Sequence, residues 1–343
     1  MKFGVFDHID DSGAALGQLY DDRLTFAEAL DRSGFYGYHV AEHHTTPLGA
    51  AASPGLIFAA LSQRTRKVRF GPMVYLVPFY HPLRLIEEVC MLDQMSRGRF
   101  QLGVGRGVSI YETQAYGLDF TKTQDMYHEA FQVLLKGLGS EELSFSGKYY
   151  NFDKLPMVLR PLQRPHPPLW YGLNIPSNAA WPAENNVNVI VLGLREVSTP
   201  VIQNYRQARI KAGLDPDGTM IGISRHVVVA DTDEEALAIA RRAYPRWRES
   251  FRWLFARHGT EPRVIAIYPP TFDEIAALKN AVAGSPETVK RFIEEEMAAS
   301  EFNYFAPWLA FGGMTLKETL RSVELFAREV MPAFAGARAT PKG

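Results

Sequence analysis

The sequence predicts a single α/β domain, a (β/α)8 barrel with insertions after strands 4 and 7. Short runs rich in β-branched and aromatic residues alternate eight times with longer runs in which apolar residues recur at helical spacing. The 343 residues suit a barrel of about 250 residues with insertions, and no change of composition divides the chain. A doubly wound sheet is the alternative, but no glycine fingerprint follows the first strand, where Phe6 leads into Asp7 and His8.

The composition is that of a globular protein with a large core, since 46% of the residues are hydrophobic and 22% are charged. A net charge of −1 gives no electrostatic reason to expect nucleic acid or an anionic membrane as a partner. The acidic Asp7 comes too early for a signal peptide, and no apolar run approaches the ~20 residues of a membrane span. The one cysteine, Cys90, excludes an internal disulfide and a cysteine metal cluster. We therefore expect a cytoplasmic protein.

The first half of the chain contains four predicted strand–helix units. The strands are expected over residues 2–6, 36–41, 68–77 and 100–104. The helices are expected over 22–33 and 54–64, from 82 onward, and in a segment that ends at 137. Pro54 and Pro82 suit the first position of a helix, where a missing N–H leaves no hydrogen bond unmade.

Two irregular segments interrupt the alternation in the second half. Residues 139–168 are rich in Gly, Pro and aromatic residues, and we expect them to cross the mouth of the barrel; residues 258–285 form the second insertion. The remaining strands are expected over 169–173, 187–192, 221–230 and 302–308. The remaining helices begin near 177 and span 199–212, 233–257, 286–299 and 315–330. A single domain then covers 1–335, followed by a flexible tail at 336–343.

Three ionisable residues, Glu42, His43 and His44, stand where the apolar run of the second strand stops. Parallel barrels place their active sites at the carboxyl ends of the strands, and a histidine there acts as a general acid or base near neutral pH. Two other interpretations stay open: the histidines pack against a helix and a carbonyl, or they bind zinc together with Glu42. Because no H-x-x-x-H helix or second cysteine accompanies them, we expect no metal site.

Two turns carry residues suited to a phosphate group. Arg106 lies among the glycines of 103–107 after the fourth strand, where the backbone approaches a ligand closely, although a solvated arginine is an ordinary alternative. After the fifth strand, Ser177 and Asn178 either cap the next helix or leave its backbone N–H groups for an anion. Asn174 opens the same segment.

The third strand contains Gly71 and Pro72 just before Met73 and Val74. A proline inside a strand indicates a bulge or a strained peptide beside a site. A plain bend of the barrel is the alternative.

Together, these segments resemble the bacterial luciferase-like family of flavin-dependent monooxygenases. The resemblance rests on residues 2–6, on Glu42 to His44, and on the long run from His81 through Phe100 to Gly107. The end of the chain, with Phe326 and Val330 to Pro332, is similar to the family's last helix. The similarity is dense over residues 1–120 and follows the remainder in outline. The likeness is greatest to the catalytic subunit of luciferase and to single-chain relatives.

The resemblance implies a TIM barrel that binds reduced FMN in its mouth, usually within a homodimer. It makes His43 the acid/base group beside the flavin, with Glu42 and His44 around it. Residues 258–285 match a mobile loop that closes over the site.

The resemblance also implies a set of cofactor contacts. Arg106 matches an arginine that binds the phosphate, and Asn174, Ser177 and Asn178 lie where other members bind phosphate at a helix start. The peptide between Met73 and Val74 matches one that lies below the flavin ring, and we expect it to be cis although no proline follows it.

The chain departs from the luciferase subunit at two positions. Gly105 stands where luciferase carries a reactive cysteine, so light emission is not expected. A second phosphate-binding arginine is expected near Asp125 or Met126, and Lys122 is the one nearby substitute, with a point charge that is less suited to bidentate contact.

The resemblance implies a two-component monooxygenase. A separate NAD(P)H:flavin reductase supplies reduced FMN, O2 reacts to give a flavin hydroperoxide, and a small organic substrate is oxygenated. The residues expected to surround the substrate, if they are not simply core, are Tyr75, Phe79, Tyr80, Tyr111 and Trp308. Two alternatives remain: hydride transfer with a deazaflavin, and a non-catalytic flavin-binding subunit.

Overall fold

A computed structural model describes residues 1–336. Its strands are β1 (Lys2–Asp7), β2 (Gly37–Val40), β3 (Arg69–Pro72), β4 (Tyr75–Leu76), β5 (Leu102–Gly105), β6 (Glu142–Ser146), β7 (Asn151–Pro156), β8 (Leu169–Gly172), β9 (Asn188–Val191), β10 (Ile221–Ile223), β11 (His226–Val229), β12 (Ala281–Gly284) and β13 (Tyr304–Phe305). Its helices are α1 (Leu16–Arg32), α2 (Pro54–Arg64), α3 (Pro82–Met95), α4 (Ile110–Ala115), α5 (Thr123–Gly139), α6 (Ala180–Glu184), α7 (Arg195–Lys211), α8 (Asp233–Arg257), α9 (Phe272–Ala277), α10 (Pro286–Ala299) and α11 (Leu316–Leu325).

Eight strand positions close a barrel, as the sequence predicted. Parallel pairing runs from β3 through β2, β1, β13, β10, β9, β8 and β5 to β4. Because β3 and β4 are two halves of one predicted strand, interrupted at Met73 and Val74, the two ends of this order meet. A bridge between Phe70 and Phe100 joins β3 to the start of the next strand and completes the ring.

The barrel interior is a packed core that contains a polar layer. The buried His39 ring is hydrogen-bonded through Nε2 to the hydroxyl of Tyr304 at 2.8 Å, and burial lowers the pKa of His39 to about 3. Tyr304 fills the space beside Gly4, where a Cβ would lie only 1.7 Å from its hydroxyl oxygen. A side chain at Gly4 would therefore displace the tyrosine. Packed side chains thus fill the barrel interior below the mouth.

The seventh predicted strand is two strands, β10 and β11, so the prediction of one continuous strand over 221–230 was wrong. The break places the buried Arg225 guanidinium on the Glu296 carboxylate of α10, with hydrogen bonds of 2.7 and 3.1 Å. The same guanidinium donates to the carbonyl of Gly193. Satisfying a buried arginine takes precedence over regular strand pairing here.

The segment 258–285, predicted to be irregular, is largely ordered into elements. It contains a short 3-10 turn (Ile265–Ile267), the helix α9 and the strand β12. Strand β12 pairs in parallel with β11 and forms a separate two-stranded sheet. The capping box between Thr271 and Glu274 is a signal that the sequence contained for α9.

The segment 139–168 does not cross the mouth, and that prediction was wrong. Its hairpin, β6 and β7, packs on the outer side of the barrel, where the rings of Tyr150 and Phe152 contact His81 at the start of α3. The chain then follows α3 toward its end, where Gln163 hydrogen-bonds Asp93. Leu143 of the hairpin is buried in the main core, and Phe145, Phe152 and Leu155 pack half-buried against it, which favours this position.

Within the described residues, no helix is both long enough and apolar enough to cross a membrane. The predicted tail at 336–343 lies, apart from Gly336, outside the described residues.

Candidate active site

The mouth of the barrel brings together three segments from neighbouring strands. His43 follows β2, the peptide between Met73 and Val74 separates β3 from β4, and Arg106 follows β5. The Met73–Val74 peptide is cis, as the sequence analysis predicted. These segments stand at the carboxyl ends of adjacent parallel strands, where barrel enzymes bind their ligands.

His43 is paired with a carboxylate from another loop. Its Nδ1 lies 3.0 Å from Oε1 of Glu112, whose side chain is 5% exposed, whereas the histidine side chain keeps 21% exposure. A carboxylate accepts, so the imidazole donates from Nδ1, and in residues 1–336 its Nε2 has no hydrogen-bond partner. This arrangement orients the ring.

Glu112 was not predicted as a site residue. It lies in α4, a six-residue helix that was not predicted, at the third position after the cap residue Ser109. Ser109 accepts a hydrogen bond from the backbone of Glu112, and the spacing Ser109-x-x-Glu112 is that of a capping box. The glutamate side chain bonds His43 rather than the cap, so the pattern predicted the helix start but not this partner.

His44 has both ring nitrogens engaged, unlike His43. Its Nε2 lies 2.7 Å from Glu42, and its Nδ1 lies 2.8 Å from the hydroxyl of Tyr116, whose ring stacks on Phe79. The buried Glu42 also accepts the backbone N–H of Leu76, and burial raises the pKa of its carboxyl. His44 therefore helps hold the β2 and β4 loops together.

Val74 occupies the space that a side chain at position 105 would need. A Cβ built on Gly105 would lie 2.4 Å from Cγ2 of Val74. Gly105 is thus matched to the residue after the cis peptide.

Arg106 is half-buried beside the mouth. Its guanidinium lies 4.7 Å from the ring centre of Phe120. Tyr171, at the end of β8, lies close enough for an electrostatic interaction with the guanidinium. Among residues 1–336 no carboxylate forms an ion pair with it. A fixed cation without a counter-charge suits an anionic group such as a phosphate.

The turn after β8 is open to solvent. Asn174 accepts the backbone N–H of Leu192 at 3.0 Å, and Ser177 and Asn178 are exposed in a short 3-10 turn. Neither caps the following helix, because α6 begins at Ala180 after Ala179. The N-cap interpretation was therefore wrong.

The predicted substitute for a second phosphate arginine, Lys122, is exposed and forms an ion pair with Asp119 at 3.4 Å. It lies at the N-cap of α5, and Asp125 follows in the first turn. In the part of the chain described here, no group of three or more His, Cys, Asp or Glu side chains is placed to hold a metal ion.

The aromatic residues proposed for the substrate wall lie in different places. Tyr75 is buried, and its hydroxyl donates to Glu88 of α3 at 2.7 Å, so it faces the helix layer and does not line the mouth. Tyr111 stacks on His258 with ring centres 3.9 Å apart, which joins α4 to the segment after α8. Trp308 is 4% exposed within an aromatic cluster.

His8, which follows β1, is a second residue of the site that was not predicted from the sequence. Its ring lies 5.5 Å from that of His43, with Trp247 and Trp308 on its other sides. Its place directly after the first strand was the one available signal, since the carboxyl ends of strands one and two are neighbours in a barrel.

The chain is similar to known proteins over nearly its whole length. The chain matches the family model of luciferase-like monooxygenases over residues 1–303. Uncharacterized protein y4wF of Sinorhizobium fredii is 36% identical over 332 residues, which cover 96% of each chain. The oxygenase component of the flavin-dependent trigonelline monooxygenase of Acinetobacter baylyi is 28% identical over 352 residues, covering 98% of this chain and 96% of that one.

Solved structures share the fold. Monooxygenase RslO1 from Streptomyces bottropensis has a TM-score of 0.88 and 25% identity, covering 97% of this chain and 100% of that one. The FMN complex of the oxygenating constituent of 3,6-diketocamphane monooxygenase from Pseudomonas putida gives 0.78 at 23% identity, with 97% and 98% covered. An F420-dependent secondary alcohol dehydrogenase gives 0.72 at 20% identity, with the same coverage. The last two likenesses concern the fold alone.

Proposed function

The chain belongs to the family of luciferase-like monooxygenases, and we propose that it is the oxygenase of a two-component system. It takes reduced FMN from a separate NAD(P)H:flavin reductase and uses O2 to oxygenate a small organic substrate. The observation that carries the proposal is the pairing of His43 with Glu112 at the carboxyl ends of the barrel strands. The relative from Acinetobacter, named as an oxygenase component, supports the two-component arrangement.

His43 is the residue that moves a proton. Its Nδ1 is occupied by Glu112, so proton exchange with a reacting group takes place at Nε2. The buried carboxylate holds Nδ1 and so fixes the orientation of the ring. His44, with both nitrogens bonded, is the less suitable of the pair.

The residues present fit an FMN phosphate at one side of the mouth. Arg106 provides a half-buried cation, and the exposed hydroxyl and amide of Ser177 and Asn178 provide hydrogen-bond partners, with Asn174 at the same turn. The Met73–Val74 segment lies between this side and His43. Reduced flavin, when bound, supplies the electrons that activate O2.

The segment after α8 is suited to excluding water from the site. Tyr111 of α4 stacks on His258 and is hydrogen-bonded through its hydroxyl to Thr260 at 2.7 Å. The residue next to Tyr111 is Glu112. The short helix α4 therefore contacts the segment after α8 and also provides the partner of His43. Exclusion of water prevents side reactions of the activated oxygen before it reaches the substrate.

The experiment is oxygenation by the purified chain with a flavin reductase, NADH, FMN and isotopically labelled dioxygen. We expect label in a product from a panel of ketones, amines, sulfides and aromatic compounds, and little product from His43→Ala. His128→Ala, an exposed histidine on α5, is the matched control and retains full activity. Equal product from His43→Ala and the wild type would contradict the role of His43.

The same experiment separates the alternatives. Turnover of an alcohol with a deazaflavin and no oxygen requirement identifies a hydride-transfer enzyme. Binding of FMN without product on any substrate identifies a flavin-binding subunit.

The proposal includes a homodimer. Leu56 on α2 and Met91 on α3 are 75% and 54% exposed, which is costly for large apolar side chains on neighbouring helices of a monomer. A dimer mass in light scattering that shifts to the monomer mass in Leu56→Glu would support it, and a wild-type monomer would exclude it.

A further inference from the structure

His8 occupies the mouth but has no part in the proton transfer proposed for His43. It follows the last residue of β1, and its ring is enclosed by Phe6, Trp247 and Trp308, with ring centres 5.0, 5.9 and 5.1 Å away. On the remaining side lies His43. His8 keeps 9% exposure, in contrast to His226 of the same aromatic cluster, which keeps 1%.

The surroundings of His8 disfavour a charge on its ring. In residues 1–336 no carboxylate contacts it, and the titratable groups that face it are two other histidines, His43 from the loop after β2 and His226 from β11. Burial, and secondarily the nearby His43, hold the pKa of His8 well below its ordinary value. At neutral pH the ring is therefore neutral and carries a single proton.

Trp247 decides which nitrogen carries that proton. Its indole Nε1 lies 3.4 Å from Nδ1 of His8. An indole N–H only donates, so Nδ1 is the acceptor and the proton resides on Nε2. Among the described residues, Nε2 has no hydrogen-bond partner.

We propose that His8 is a hydrogen-bond donor that selects the substrate, presenting its Nε2–H to a neutral acceptor such as a carbonyl oxygen on an otherwise apolar molecule. This inference rests on the proposed function, because it places the substrate in the same mouth as His43. The aromatic walls favour an apolar body. A carboxylate is disfavoured, since it would lose its hydration there without gaining a cation, whereas a carbonyl needs only the one donor.

The test begins with nitrogen-15 NMR of histidine-labelled, full-length protein at neutral pH, with His8 assigned by its absence from His8→Phe. We expect a neutral ring protonated on Nε2. A protonated Nδ1, or a doubly protonated ring, overturns the proposal. This measurement needs neither FMN nor O2.

The second arm compares binding of cyclohexanone with that of methylenecyclohexane, which has nearly the same shape but no acceptor. We expect the wild type to prefer the ketone by about fivefold, the worth of one net hydrogen bond, with a shift of the His8 Nε2 resonance. In His8→Phe the preference disappears. The matched control His226→Phe, the same change deeper in the same cluster, retains it.

Equal affinities of the wild type for the two compounds, including no binding of either, overturn the proposal. If His8→Phe does not fold, the NMR tautomer, with His8 assigned through Trp247→Phe, and the wild-type ligand preference still decide it. If the tautomer or the ligand preference is not as expected, the proposed oxygenation by His43 is unaffected. If no oxygenation is found, the tautomer and the ligand preference can still be measured. The two proposals are therefore tested separately.

Discussion

His43 and Glu112 are 69 positions apart in the chain, and their side chains meet at 3.0 Å in the mouth of the barrel. The contact joins the loop after β2 to the helix after β5. It gives one histidine of a neighbouring pair a fixed orientation and a charged partner. The other histidine is held by Glu42 and Tyr116.

Replacing Glu112 with Ala is expected to reduce product formation about tenfold, because the His43 ring loses the acceptor that holds its Nδ1. Glu112→Gln, whose amide oxygen can still accept from Nδ1, should retain more of the activity. The measurement is the rate of product formation at saturating reduced FMN. Glu249→Ala, an exposed change on α8, should behave as the wild type. Unchanged product formation in Glu112→Ala would show that the pair has no part in proton transfer.

Position 105 and position 74 are expected to be coupled. Gly105→Ala brings a Cβ against Cγ2 of Val74 and should cost about 1–3 kcal/mol of stability, as overpacking does. Val74→Ala removes the obstructing methyl groups, so the double variant should recover most of that loss. Urea unfolding of the two single variants and the double variant measures the coupling. Strictly additive effects would mean that the space is not shared.

The buried ion pair of Arg225 and Glu296 is expected to matter far more than an exposed one. Glu296→Gln leaves the buried guanidinium without its counter-charge and should cost about 3 kcal/mol of unfolding free energy. Asp273→Asn breaks the pair with Arg241, in which both side chains are 56% exposed, and should cost less than about 1 kcal/mol. Denaturant titrations compare the two. Equal costs would contradict the argument from burial.

Asp10 is expected to make the fold less stable as the pH rises. Its carboxyl is buried, accepts the N–H of Gly312 at 2.8 Å, and has one oxygen without a partner among the described residues. Burial, opposed by Arg23, raises the pKa of Asp10 from 3.8 to about 7. The folded state therefore holds the proton more tightly than the unfolded state. The stability contributed by neutral Asp10 is complete below the ordinary pKa and declines up to the raised one.

Asp10→Asn removes this dependence. Relative to the variant, the wild type should lose up to about 1.4 kcal/mol of unfolding free energy per pH unit between about pH 5 and about pH 7, and then level off. Urea unfolding over that range is the measurement, with the exposed neighbour Asp11→Asn as the control. A constant difference between wild type and Asp10→Asn would rule out a raised pKa.

The sequence determined the features that local pattern encodes. Helices that begin with proline, such as α2 and α3, and the long helix α8 lie where periodicity predicted them. The eight strand positions and the residues at the carboxyl end of the second strand also followed from the pattern alone. The cis peptide at Met73–Val74 came from the family resemblance.

The tertiary structure decided the partnerships. Glu112 reaches His43, Val74 fills the space over Gly105, and Tyr75 turns toward α3, because strand order brings these distant segments together. The hairpin of 139–168 lies outside the barrel because its apolar side chains pack against the main core beside α5, a surface that exists only once that helix is docked. Local spacing along a chain carries no record of such contacts, since they depend on which strands become neighbours when the barrel closes.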